Sequence, residues 1–408
     1  MPASKLDPHK NRWEFIALAA SIMALNAMAI DIMLPAFPEI GEALRVESEN
    51  HTQFVLISYL LGFGVGQIVV GPLCDRFGRR IPLLWGLVIY SLAALAAGFA
   101  PTFETMIALR VLQGLGAAST RIVATSVVRD TYSGRAMAEI MSLIFVIFMA
   151  VPVLAPSIGQ LIVLFAPWQF IFIGMVAMGV GVLLWAYYRL PETLAPENQR
   201  PLQLKTVTDG FVIVFSNRQA MMYGMAPGIL TGGLFAFVSS SQQIFDGIYG
   251  LGVLFPFAFG SVALLMSASS FMNARLVGRF GMRPLSHGAL LVFTAVSIIL
   301  YSWSLMAVVP FWWFMVLFAS MMVCFGFIGN NFNSMAMEPL GNVAGTASSV
   351  FGSVQTVGGA LIGALVGQQF DGTISPIIFG YMACAIVGII MVAVAEDGRF
   401  FKTQHDPV

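Results

Sequence analysis

Polar positions along this chain fall in short clusters separated by long runs that carry no charge. His51–Cys74, Ile81–Phe103, Gln219–Phe245, Gly247–Ala274, Pro339–Phe370 and Gly372–Ala395 are six such runs. Each is long enough for one membrane-crossing helix, which needs about 20 apolar residues. Two longer runs, Ile140–Tyr188 and Pro284–Met337, break at Ala166-Pro167 and near Val309-Pro310 and supply two helices each. Trp13–Phe37, interrupted only by Glu14 and Asp31, gives the first helix, and Thr105–Val128, interrupted by Arg110 and Arg121, the fourth. The pattern therefore predicts an all-α integral membrane protein of twelve spans. Six fall in residues 1–188 and six in 219–408, with a proline-bearing polar linker at 189–218.

Between the second and third runs lies Gly71-Pro-Leu-Cys-Asp75-Arg76-Phe-Gly78-Arg79-Arg80. Gly278-Arg-Phe-Gly-Met-Arg283 repeats its last six positions at four of six, 203 residues later in a chain of 408. A loop that recurs after half the chain indicates two six-helix halves related by internal pseudo-two-fold symmetry, an architecture common among transporters.

Composition removes the soluble alternatives. Only 10% of residues are charged and 58% are hydrophobic, against roughly 25% charged in a soluble domain. The even balance of 20 basic and 20 acidic residues gives no sign of a nucleic-acid partner. Where the charges lie is more informative. Seventeen of the 20 Lys and Arg occupy the two ends and the loops on the same side as them, so both termini and the linker are expected in the cytoplasm of a bacterial inner membrane. Cys74, Cys324 and Cys384 lie in or beside apolar runs without metal-ligand spacing and read as packing residues. No metal site and no cofactor are expected.

Several segments resemble the major facilitator superfamily. The Gly71–Arg80 loop is similar to its signature loop between the second and third helices. Arg110-x-x-Gln113-Gly114-x-Gly116-Ala117 resembles the second motif of its twelve-span drug/proton antiporters. Ala155-Pro156-x-x-Gly159, with Pro152 before it, resembles the antiporter motif of the fifth helix, although Gln160 stands where a second glycine is usual. Asp31-Ile-Met-Leu-Pro-Ala-Phe-Pro38, Trp168-x-x-Ile-Phe172, Leu190-Pro-Glu-Thr-Leu194 and Val238-Ser-Ser-Ser241 resemble the Bcr/CflA drug-resistance group. The resemblance implies the major facilitator fold and a monomeric exporter of small molecules, with the signature loop facing the eleventh helix. It also implies that Arg79 and Asp130 complete a charge cluster there. In that reading Gly71, Asp75, Arg76, Gly78, Arg79, Arg80 and Asp130 form a conformational gate. For Arg76 and Arg80 a purely topogenic role is the rival.

A charge within the hydrocarbon costs at least about 2.5–3.5 kcal/mol on insertion scales, so intramembrane charges mark function by default. Asp31, Arg110 and Arg121 stand well inside. Counted from Phe37 and Glu104, Asp31 and Arg110 are each six residues, or roughly 9 Å, below one surface. They either face each other or line one cavity. A buried carboxyl is pushed towards its neutral form and a nearby cation pulls it back, whereas an arginine stays charged. Asp31 is thus the candidate proton carrier and Arg110 its fixed partner; a static ion pair is the alternative. Gln113 shares the Arg110 face, and Arg121 is near enough to the helix end to snorkel. Glu14 suits the helix N-terminus, and Asn26 points away from Asp31. Asn330, Asn331 and Asn333 form a polar knot whose use, cavity lining or interhelical bonding, stays open. Pro152, Pro156 and Gly159 bend the fifth helix and expose a small-residue face. That face is either a seal near the junction of the halves or a fixed kink.

No P-loop is present, so the proton gradient is the expected energy source. The leading expectation is a proton-driven exporter of amphipathic molecules. A dedicated metabolite or siderophore exporter, or an uptake symporter, is the alternative. No nucleophile–base pair supports an enzyme.

Overall fold

The computed structural model describes residues 11–195 and 212–401, together with 7, 197 and 199. The central part of the expected linker, 196, 198 and 200–211, lies outside the described residues. The chain divides into two compact units, Met1–Leu204 and Lys205–Val408. Among the described residues, twelve helices are long and apolar enough to cross a membrane.

In the first unit these are α1 (Arg12–Ala43), α2 (Phe54–Phe77), α3 (Arg80–Gly98), α4 (Phe103–Thr131), α5 (Gly134–Phe165) and α6 (Gln169–Arg189). In the second they are α7 (Arg218–Gln242), α8 (Phe255–Phe280), α9 (Met282–Met306), α10 (Phe311–Met337), α11 (Ala344–Gly367) and α12 (Ser375–Ala395). Few have side-chain caps. Thr102 accepts the Thr105 N–H at the start of α4, and Asn217 accepts the Ala220 N–H at the start of α7, each satisfying one free N-terminal donor.

The first span differs from the sequence expectation. It does not stop at Phe37 but reaches Ala43, and it is broken on the way. The α-helical part ends at Asp31, a 3-10 turn follows at Leu34–Ala36, and a short helix runs Phe37–Ala43. Pro35 explains the break. It has no N–H for the Asp31 carbonyl four residues back, and its ring crowds that carbonyl. Asp31 is therefore twelve residues, roughly 18 Å of helix, from the end of the span and much nearer its middle than the sequence count placed it.

Internal doubling is visible in the backbone. Gly78 closes α2 at φ 88° and Gly281 closes α8 at φ 82°, a left-handed conformation that glycine adopts without strain. A Cβ on Gly159 in α5 would meet the Ile32 carbonyl, and one on Gly363 in α11 would meet the backbone of Phe235 and Ala236 in α7. The fifth and eleventh helices thus each pack closely on the first and seventh helix of their own unit.

Candidate transport site and signature loop

α4 sits between α2 and α3, and the glycines of its motif set the spacing. A Cβ on Gly114 would lie 2.1 Å from the Tyr59 carbonyl of α2, and one on Gly116 2.6 Å from the Gly86 carbonyl of α3. Backbones this close leave Arg110 fully buried. All three of its nitrogens are used. Nε donates to the Val55 carbonyl at 3.0 Å, Nη1 to Gln113 Oε1 at 2.7 Å, and Nη2 to the Ala29 carbonyl at 3.0 Å. The guanidinium also lies 4.5 Å from the centre of the Tyr59 ring, a cation–π contact. Gln113 is held in turn, with its amide directed at the Met175 sulfur of α6.

Asp31 and Arg110 do not pair. Asp31 is 6% exposed and forms no ion pair among the described residues, while Arg110 reaches α1 two residues away, at Ala29. Among the described residues there is thus no Asp31–Arg110 ion pair, and Arg110 joins α4 to α1 through the Ala29 carbonyl instead. Arg110 is a clamp made of carbonyl bonds, and Asp31 stands near it unpaired.

Two neighbours of this cluster escaped the sequence reading. Tyr59 donates to Asn26 Oδ1 at 2.7 Å, an interhelical bond that joins Asn26 to Arg110 through the tyrosine ring. The only signal was that a phenol buried in a span needs a partner. The second is the Ile32 carbonyl, against which Gly159 packs at a Cβ distance of 2.1 Å, with Pro35 Cδ at 3.4 Å. The small-residue face of α5, which contains Pro152 and Pro156, thus meets the break in α1 of its own unit. Arg121 is not part of the cluster; its side chain is exposed three turns along α4 and forms no ion pair among the described residues.

The signature loop forms a second centre. Arg79, 3% exposed, donates Nε to Asp130 Oδ2 and Nη1 to Asp75 Oδ1, both at 2.8 Å. Burial alone would lower the Arg79 pKa, but the hydrogen bonds it donates to Asp130 and Asp75 outweigh it and raise the guanidinium above its usual value. Glu192, from the Leu190–Leu194 segment, closes the loop. Its carboxylate accepts the backbone N–H groups of Arg79, Arg80, Thr193 and Leu194 at 2.8–3.1 Å. A Cβ on Gly78 would strike it at 2.3 Å, so glycine is required there by both shape and φ. Arg80 donates to the Tyr187 carbonyl at 2.5 Å, Arg76 is exposed, and Gly71 is buried within α2. Glu14, expected only to favour a helix N-terminus, makes a two-pronged pair with Arg189 at 2.6 Å.

In the second unit, Glu396 accepts from Arg283 Nε at 2.6 Å and from Tyr223 at 2.7 Å. His287, fully buried, lies 2.9 Å from the same tyrosine hydroxyl. The amide knot resolves into separate uses. Asn331 donates to Asn273 Oδ1 of α8 at 2.8 Å, Asn330 bonds back to the Gly326 carbonyl, and Asn333 meets Gln355. Among the described residues no cluster of His, Cys, Asp and Glu suits a metal ion.

Twelve spans in two repeated units, a buried acid at a helix break and a clamped arginine describe a membrane transporter. Residues 19–363 match the family model described as Major Facilitator Superfamily. The chain is 30% identical over 389 residues to the bicyclomycin resistance protein homolog of Haemophilus influenzae, covering 94% of this chain and 96% of that one. It is also 30% identical over 402 residues to the multidrug resistance protein MdtL of Escherichia coli, with 94% and 96% covered. Among solved structures, a D-xylose–proton symporter superposes with a TM-score of 0.72 at 13% identity, covering 93% of this chain and 97% of that chain. A bacterial homologue of the lysosomal transporter Spinster gives 0.69 at 14%, covering 96% and 97%. The chain belongs to the major facilitator superfamily, whose members are multi-pass membrane transporters and not enzymes.

Proposed function

We propose that this protein exports small amphipathic molecules in exchange for protons by alternating access, with Asp31 as the proton carrier. The observation that carries this reading is a buried, unpaired carboxylate at the end of the α-helical part of α1. An isolated buried charge is costly, so a group in that position is best accommodated by binding a proton. Its place at a helix break lets a small backbone movement change what it faces. The two relatives named for bicyclomycin and multidrug resistance support drug-like cargo and the export direction.

Arg110 has a supporting role. By binding the Ala29 carbonyl it fixes the segment that presents Asp31, and it keeps a permanent positive charge near the site. The Arg79–Asp75–Asp130–Glu192 cluster is proposed as the gate element, making and breaking as the transporter alternates. Energy comes from the proton gradient, the functional unit is a monomer, and both termini face the cytoplasm. Proton-coupled uptake is the second reading, favoured only by Gln160 in the antiporter motif. Everted vesicles loaded to drive antiport separate the two, because an exporter accumulates substrate when the interior is acid and a symporter does not.

A further inference from the structure

Arg275 and Arg279 are the only charged residues of α8, and they stand on its apolar, exposed side. Phe257, Leu264, Leu265, Phe271 and Met272 share that side and are 41–71% exposed. The opposite side is packed. Asn331 of α10 donates to Asn273 Oδ1, and a Cβ on Gly326 of α10 would meet Ser269 Oγ. A contiguous apolar strip left exposed along a whole span is the surface that a helix turns to lipid. Arg275 follows Phe257 by 18 residues, five turns at 3.6 residues per turn, so it lies in the middle of the strip. Arg279 is one turn further on.

Neither arginine has an acidic partner or donates a side-chain hydrogen bond among the described residues. Each lies against an exposed ring instead. The Arg275 guanidinium is 4.5 Å from the centre of Phe271, and that of Arg279 is 5.4 Å from the centre of Phe280. Cation–π contacts of this kind steady the cations and leave their N–H groups free. Depth matters as well. The span Gly252–Phe280 has 29 residues, roughly 43 Å of helix, which matches a bilayer of about 40–45 Å with its headgroup layers. Arg279 and Arg275 lie one and five residues before the end of that span, within side-chain reach of the phosphate level. The internal repeat shows that the pair is particular to the second unit. Positions 203 residues earlier hold Pro72 and Arg76, one arginine in place of two.

We propose that Arg275 and Arg279 bind the phosphodiester of an anionic phospholipid, in the leaflet on the side of the signature loop, with the acyl chains laid along the apolar strip. Two guanidinium forks one turn apart suit phosphate oxygens, which take paired, charge-assisted hydrogen bonds from arginine. A free anion has no chains for the strip to hold, so the occupant is a lipid. The inference is independent of the proton and cargo reading.

Native mass spectrometry of the purified full-length protein, in a neutral detergent with added lipid, tests it. Dioleoyl phosphatidylglycerol is expected to bind at least about tenfold more tightly than dioleoyl phosphatidylcholine, since each arginine near an anionic headgroup contributes roughly fivefold. In Arg275→Gln combined with Arg279→Gln that ratio should fall to near one. Either single change should lower it about fivefold, which keeps the test open should the double variant fail to insert. Arg399→Gln, which removes an exposed cation away from the strip, should keep the ratio, and inorganic phosphate should not displace the bound lipid. A ratio near one in the unaltered protein, a ratio kept in the double variant or in both single variants, an equal loss in Arg399→Gln, or displacement by phosphate would overturn the inference.

Discussion

Gly159 of α5 lies so close to Ile32 of α1 that a Cβ on it would come within 2.1 Å of the Ile32 carbonyl oxygen. Real atoms do not approach so closely, so any side chain there must push the two helices apart. Ile32 follows Asp31 directly, and the helix has just ended because of Pro35. The antiporter-like motif of α5 therefore packs against the backbone one residue beyond the acid.

Gly159→Ala should reduce proton-driven transport by at least about tenfold, since an obstructed close contact of this kind costs roughly 1–3 kcal/mol. Gly174→Ala in α6, where a Cβ meets nothing within 4 Å, is the control and should transport normally. Vesicle transport normalised to membrane-inserted protein reads both. Equal activity of the two variants would show that α5 does not position Asp31.

Arg110→Lys should not rescue the arginine. A single ammonium cannot reach Val55, Ala29 and Gln113 together, whereas the guanidinium fork does. A loss of roughly 3 kcal/mol of stability is expected, in the range found when one partner of a buried charged network is removed. It would appear as a clear drop in the unfolding midpoint in detergent. Tyr59→Phe, which loses only the bond to Asn26, should cost about 1 kcal/mol.

Glu192→Gln should loosen the signature loop without touching the transport site. Four backbone N–H groups converge on that carboxylate, and weakening a helix-capping acceptor typically costs about 0.5–2 kcal/mol. Faster hydrogen exchange at Arg79 and Arg80 is the expected readout, with cargo affinity unchanged.

Asp75→Asn should slow turnover more than it weakens cargo binding. Asp75 is one of two acids on Arg79 and the more exposed of them, at 46% against 14% for Asp130. Its loss leaves the second bond in place while changing the balance of the gate. Unchanged turnover with weaker binding would remove the loop from the gating step.

Much of this was legible in the sequence, and the limits have physical causes. Twelve spans followed from charge-free runs because hydrocarbon tolerates few charges. The signature loop announced itself because Asp75, Gly78, Arg79 and Arg80 are close in sequence. Glu192 is more than a hundred residues away, and nothing in periodicity links it to Gly78. Asp31 and Arg110 stand out as intramembrane charges, but sequence leaves open whether they face each other or line one cavity. Depth was counted along a helix assumed continuous, while Pro35 breaks it. Carbonyl partners such as Ala29 and Val55 carry no side-chain signature at all.

Asp31→Asn in everted vesicles bears most directly on the central claim. The asparagine has nearly the same shape and cannot carry a proton. Proton-driven accumulation of cargo should be lost while the protein inserts normally and still binds that cargo. Undiminished accumulation, with the same dependence on the proton gradient, would show that Asp31 is not the proton carrier.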